Sequence, residues 1–237
     1  MSTKQSYGMI CPITKAAEIL EPRWTLPILC ELWNGYTRFN DLKRVVGNIS
    51  PGVLSKRLAE MEMSGLVERI GDPARGTVDY VRTQKAIDLE PAMHALAHWA
   101  QRNIEAEVAV CAYNVSQLMW KLRAVIKTDE FPKRRVVIRF SFTDEDGPYP
   151  RYWMLCEPGK DVEMCVSVPA FDIDIYVETT KASLAAIVLG RSTFARETGL
   201  DRFFVTGDAV LARSIERWLP VSEYASLDGI QILPAAE

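Results

Sequence analysis

The chain has 237 residues, 48% hydrophobic and 25% charged, a composition that belongs to a globular protein long enough for two domains of ordinary size. No uninterrupted apolar run is long enough to span a bilayer, which excludes a helical membrane protein. The net charge of -3 speaks against nucleic-acid binding only as a whole-chain average. From Arg38 to Arg57 the bases Arg38, Lys43, Arg44, Lys56 and Arg57 face the single acid Asp41, a local basic footprint on an acidic body.

In chain order, Met1 to Tyr7 is polar and lacks the apolar centre of a signal peptide, so the expected compartment is the cytoplasm. Cys11-Pro12 opens a helix from Ile13 to Leu20 with Ile13, Ala16, Ala17 and Leu20 on its apolar side. Next comes a short polar helix, Arg38 to Val46, which Asn40 can cap and whose Phe39, Leu42 and Val45 or Val46 point inward. Gly47-Asn48 turns the chain. A second helix begins at Ser50, an N-cap, with Pro51 at the first helical position, where a missing N–H costs nothing. Leu54, Leu58 and Met61 form its buried stripe. The other arc carries Gly52, Val53, Ser55, Lys56 and Arg57, small at the N-terminus and cationic beyond, which suits entry into a major groove. After Gly65, Leu66 to Ile70 and Thr77 to Arg82 alternate as two strands of a hairpin with Arg75 at its tip. Phosphate contacts are expected from Arg38, Lys43, Arg57 and Arg75, and base-edge contacts from Ser55 and Lys56.

A long helix is expected from Ala86 to about Tyr113, with Pro91 in its first turn and Leu89, Met93, Leu96, Ala100 and Ile104 on one face. His94 and His98 lie four apart on it without a third ligand, so no metal or cofactor is expected. The five cysteines show no Cys-x-x-Cys spacing, which speaks against zinc and a disulfide framework. Cys30, Cys156 and Cys165 sit in apolar or alternating contexts. Cys11 stands at a helix N-terminus that favours thiolate, a place where simple packing or capping is also open to it.

Beyond a helical stretch from Val115 to Lys127 the pattern alternates. Val136 to Phe142, Arg151 to Glu157, Val162 to Val168 and Ile173 to Val177 read as strands with polar residues on the opposite face. This predicts an antiparallel sheet covered on one face. Lys181 to Leu189, Ser192 to Thr198 and Asp208 to Leu219 are the helices that cover it, around a strand Asp201 to Val205. Phe140, Trp153, Met154, Met164 and Trp218 are the candidate walls of an apolar pocket between sheet and helices. A filled core without a ligand fits the same pattern.

Two resemblances follow from particular residues. Cys11-Pro12-Ile13, Arg23-Trp24-Thr25 with Ile28-Leu29, Arg38 to Leu42, Ile49-Ser50-Pro51, Leu54 to Leu58 and Gly65-Leu66-Val67 resemble the HxlR-type winged-helix transcription regulators over about residues 8–105. That resemblance implies a homodimer on a pseudo-palindromic site in double-stranded DNA, paired through its terminal helices, and some members of the family sense oxidants or electrophiles at the place of Cys11. Before Arg23 the family usually has glycines where this chain has Glu21-Pro22. Phe171 to Ile175, the helix to Leu189-Gly190-Arg191, Phe204 to Asp208, Leu211 to Arg213 and Trp218-Leu219 resemble the sterol-carrier-protein type 2 domain over about residues 115–225. This one implies a tunnel for a fatty acyl or sterol-like molecule.

The expected architecture is α+β: a winged helix-turn-helix in residues 1–113, then an α+β domain in residues 114–237 with a half-covered antiparallel sheet. The expected function is transcription regulation, with a lipid or acyl carrier that dimerises through its winged helix as the alternative. An enzyme is not expected, for no nucleophile elbow, phosphate loop, metal set or His–carboxylate pair appears.

Overall fold

The computed structural model describes residues 6–74, 76–110, 115–144 and 151–234. It divides into two compact units, residues 1–94 and residues 95–237. Among the described residues no helix is long and apolar enough to cross a membrane.

The first unit runs α1 (Pro12–Leu20), α2 (Thr25–Trp33), α3 (Phe39–Val45), α4 (Pro51–Met63), β1 (Val67–Asp72), β2 (Thr77–Arg82) and α5 (Gln84–Ile87), and α6 (Glu90–Asn103) begins within it. Ile28 and Leu29 of α2, Leu42 of α3, and Leu54 and Leu58 of α4 are fully buried in one cluster. Their three- and four-residue spacing is why these segments are helical, since each helix hides one stripe. Between α1 and α2 the chain turns through Trp24, whose φ of 82° is left-handed, with the Arg23 guanidinium 5.0 Å from its ring centre. β1 and β2 pair antiparallel from Val67↔Arg82 to Asp72↔Thr77.

Asn40 does not cap α3. The helix begins two residues earlier than such a cap would set it, at Phe39, with Arg38 extended at the N-cap and no side-chain cap bond. The cause is the wing, because Arg38 bridges Asp79, the Tyr80 N–H donates to the Thr37 carbonyl at 2.8 Å, and the Thr37 hydroxyl donates to Asp79 at 2.6 Å. These bonds hold residues 37 and 38 extended and fix the start of α3.

The helix expected from Ala86 to Tyr113 is three pieces, α5, α6 and α7 (Ala106–Val110), while residues 111–114 lie outside the described residues. Thr83 caps α5 through the Ala86 N–H. The break after α6 coincides with buried Arg191, whose guanidinium donates to the carbonyls of Ala100 at 3.1 Å and Ile104 at 2.7 Å and to the Gln101 side chain at 2.9 Å. It thereby satisfies the Ile104 carbonyl, which a continuing helix would have bonded, while the Ala100 carbonyl also accepts the Ile104 N–H at 3.0 Å.

The second unit continues through α8 (Val115–Val125), β3 (Val136–Phe142), β4 (Arg151–Cys156), β5 (Glu163–Cys165), β6 (Ile175–Thr179), α9 (Lys181–Val188), α10 (Phe194–Gly199), β7 (Phe203–Gly207), α11 (Ala209–Arg213) and α12 (Ile215–Trp218). The five strands lie in the order β5-β4-β3-β6-β7. The α+β class holds, but the sheet is mixed, because β6 runs parallel to β3, with Ile138 opposite Ile175. From the edge strand β5 the chain crosses over β4 and β3 to the other side of β3, which it joins in β3's own direction.

β5 is also shorter than expected. Its register with β4 covers only Glu163 to Cys165, and Val166 and Val168 are exposed in the crossover. The helix expected from Asp208 to Leu219 is divided at Ser214 into α11 and α12.

One face of the sheet presents Val136, Ile138, Phe140, Met154, Cys156, Ile175, Val177 and Phe203 to a buried cluster that includes Met119, Leu184, Ile187 and Trp218. Beside it, fully buried Glu197 accepts from the Ser183 and Ser192 hydroxyls and pairs with Arg202 Nε at 2.9 Å. Burial alone would raise its pKa, but these donors outweigh burial and hold it below the usual carboxylate range.

Candidate nucleic-acid interface

Helix α4 presents the site. The Ser50 hydroxyl accepts from the Val53 N–H at 3.3 Å, and Pro51 occupies the first turn. With Leu54, Leu58 and Met61 turned into the core, the opposite arc exposes Gly52, Val53, Ser55 and Lys56. A Cβ placed on Gly52 would meet nothing within 4 Å. Glycine in a helix costs about 0.5–1 kcal/mol relative to alanine, so its presence here answers no need of this chain's own packing.

The expected cations divide into groups. Lys56 is exposed on the arc, and Lys43 on α3 is half-buried. Arg38 is half-exposed with its Nε 3.7 Å from Asp79. Arg57 is turned aside; its guanidinium pairs with Glu60 and its side chain is only 15% exposed. Asn40 stands exposed in the first turn of α3. Arg75 lies outside the described residues. Reasoning from sequence passed over Arg69, which stands exposed on β1 opposite Tyr80. Its place in the strand alternation was the available signal.

Cys11 is the N-cap of α1 and half-buried. Backbone N–H groups of Thr14 and Ile13, with the Thr14 hydroxyl, hold its thiol below the usual cysteine range. Burial pushes Cys156 up to about 12. His94 lies 3.9 Å from Glu90, and His98 packs edge-on against Tyr224.

Of the candidate pocket walls, Phe140, Met154 and Trp218 are brought together in the buried cluster and Met164 packs against it. The Trp218 indole N–H donates to the Leu211 carbonyl at 2.9 Å. Trp153 is placed elsewhere, because its register partner is Arg139, on the second face of the sheet. Adjacent strand residues point to opposite faces, so Trp153 cannot share a wall with its neighbour Met154.

Comparison with known proteins bears on the first part of the chain. The family model described as an HxlR-like helix-turn-helix matches residues 19–108. The uncharacterized HTH-type transcriptional regulator YvaP of Bacillus subtilis is similar at 36% identity over 98 residues, 40% of this chain and 91% of the relative. The uncharacterized HTH-type regulator YtfH of Escherichia coli is similar at 32% over 101 residues, 42% of this chain and 80% of the relative. Among solved structures, the reduced form of the transcriptional regulator YodB from B. subtilis shares 31% identity, with 41% of this chain and 97% of that one covered and a TM-score of 0.37.

Proposed function

The chain belongs, through residues 19–108, to the HxlR-like helix-turn-helix family of transcription regulators, and on that premise we propose that it acts as a homodimer on a pseudo-palindromic operator in double-stranded DNA. The observation that carries this reading is the exposed arc of α4, where Gly52 has open space around it. A residue that the fold does not require, placed where the helix would meet a base edge, is explained by close approach of DNA. Ser55 and Lys56 then reach base edges and Val53 supplies apolar contact of the kind a thymine methyl takes. Arg38, Lys43 and Arg75 bind phosphates around them, with Ser50, Pro51 and Asn40 setting the docking of the two helices. Arg57 joins them by exchanging Glu60 for a phosphate.

The partner copy is proposed to pack on α1 and α6, which leave Ile13 80%, Leu96 51% and Trp99 58% exposed. Cys11 is the proposed redox-sensing group, on the strength of the backbone donors that favour its thiolate. The expected compartment is the cytoplasm, with no membrane partner.

A mobility-shift titration with the DNA upstream of its own gene tests the regulator. We expect binding that weakens steeply with salt and prefers that sequence, and Lys56→Ala to cost about 1–3 kcal/mol. No binding at low salt would remove the reading.

For the second unit we propose a sterol-carrier-like role, an apolar ligand held between sheet and helices that favours one arrangement of the dimer. Its support is the wall itself, where Met119, Met154 and Met164 gather beside Phe140 and Trp218. Flexible thioethers adapt to varied apolar shapes. Mass spectrometry of lipid extracted from the purified protein is expected to find one recurrent fatty acyl or sterol-like species; protein that is consistently empty and indifferent to added lipid would mean a filled core.

A further inference from the structure

The second face of the five-stranded sheet carries a group of side chains that neither DNA reading nor an apolar pocket uses. Two rows of register cross it. In one, Trp153 of β4, Arg139 of β3 and Tyr176 of β6 stand side by side, with the Arg139 guanidinium 4.5 Å from the Tyr176 ring centre. In the next, Arg151, Ser141 and Glu178 occupy the same three strands. A cleft of about 220 Å³ opens here, lined by Arg139, Ser141, Phe142, Thr143, Arg151 and Glu178.

Three features mark this cleft as more than a solvated sheet face. Arg139 Nε and Ser141 Oγ, both on its lining residues, are shielded from water without a hydrogen-bond partner, as is the Trp153 indole nitrogen in the adjoining row. Shielded polar atoms are nearly always paired, so three orphans in adjacent register positions call for a specific cause. Arg151 and Glu178, opposite in charge, are exposed on either side of Ser141, and neither forms an ion pair with another of the described residues. Their strands are two spacings apart, roughly 9–10 Å, which leaves room for a small molecule between the two charges. The volume is below the ~300 Å³ at which drug-sized pockets begin, which limits the occupant's size.

We propose that this cleft binds a small carboxylate that carries a hydrogen-bond donor at its other end, an amino acid or short ω-amino acid. The carboxylate lies against Arg139, Arg151 and the Ser141 hydroxyl, since guanidinium donors match its two oxygens. The ammonium or hydroxyl end faces Glu178, which also disfavours a multiply charged anion such as phosphate by like-charge repulsion.

Calorimetric titration of the full chain with glycine, β-alanine and 4-aminobutyrate tests this, with acetate, ethylammonium and inorganic phosphate as the separated halves and the bare anion. At least one of the three zwitterions is expected to bind saturably and more tightly than any of the other probes. Arg151→Gln and Glu178→Gln, both at exposed positions, are each expected to weaken it at least tenfold while the unfolding midpoint of the free protein stays unchanged. Absence of saturable binding, equal binding of acetate or phosphate, or indifference to both substitutions would overturn the proposal. The DNA-binding reading stands or falls separately, because the mobility shift uses none of these residues.

Discussion

Cysteines of one chain differ in chemistry by position alone. Cys11 stands at a helix start, where nearby backbone donors favour the thiolate, whereas Cys156 lies fully buried in the apolar sheet face with its pKa pushed up to about 12. A lowered pKa keeps the thiolate populated at lower pH, so iodoacetamide near neutrality is expected to modify Cys11, with a pH–rate profile that inflects below that of an ordinary thiol. Cys156 should react only after denaturation. Peptide mapping checks both, and a native protein labelled at Cys156 would contradict this assignment. If Cys11 senses oxidants, peroxide or a quinone lowers operator affinity in the parent chain and leaves Cys11→Ser unaffected. The helix-start position of Cys11 was legible from Cys11-Pro12 alone. The pairing of Arg57 with Glu60 was not, because helical spacing says which residues are neighbours but not which partner a long side chain prefers.

At the scale of elements, α4 was the most readable part of the molecule. Ser50, Pro51 and the Leu54, Leu58, Met61 stripe all act within a few residues of one another, so sequence order and spatial order coincide. That locality makes a sharp test possible. Gly52→Ala is expected to leave stability unchanged or raise it by up to about 1 kcal/mol, and to weaken operator binding. Chemical denaturation and mobility shift measured on the same variant separate the two effects; unimpaired DNA binding would show that Gly52 serves no approach. Where tertiary contacts decide, local signals fell short. The start of α3 is set by the wing through Asp79, and the end of α6 coincides with Arg191, both far along the chain. Neither partner leaves a mark in the helix it delimits.

For the whole molecule, the strands and the inward residues of β3 and β6 were readable, because alternation of polar and apolar side chains is a local property. Strand order was not. Alternation is the same for parallel and antiparallel neighbours, so nothing in Ile175, Val177 and Thr179 says that their strand lies parallel to β3. The misassignment of Trp153 to the apolar wall has a related origin, since two consecutive large residues face opposite ways and the pattern does not say which is inside. Assembly is likewise beyond a single chain's periodicity. We expect sedimentation equilibrium to give a dimer and Ile13→Glu, at an exposed position, to shift it toward monomer with loss of operator affinity. A variant that stays dimeric would move the interface away from α1.

The order β5-β4-β3-β6-β7 also bears on how the chain is made. Synthesis delivers β3, β4 and β5 first, and these grow outward on one side only. The opposite border of β3 keeps its main-chain N–H and carbonyl groups unpaired until β6 emerges and docks alongside. Ribosomes therefore expose an unpaired strand border in the middle of the future sheet, beside the apolar face of β3, until residues 175 to 179 have been translated. A chain cut short in that interval would hold all of the first unit and a β3 border with no strand to pair it, the kind of edge that templates self-association.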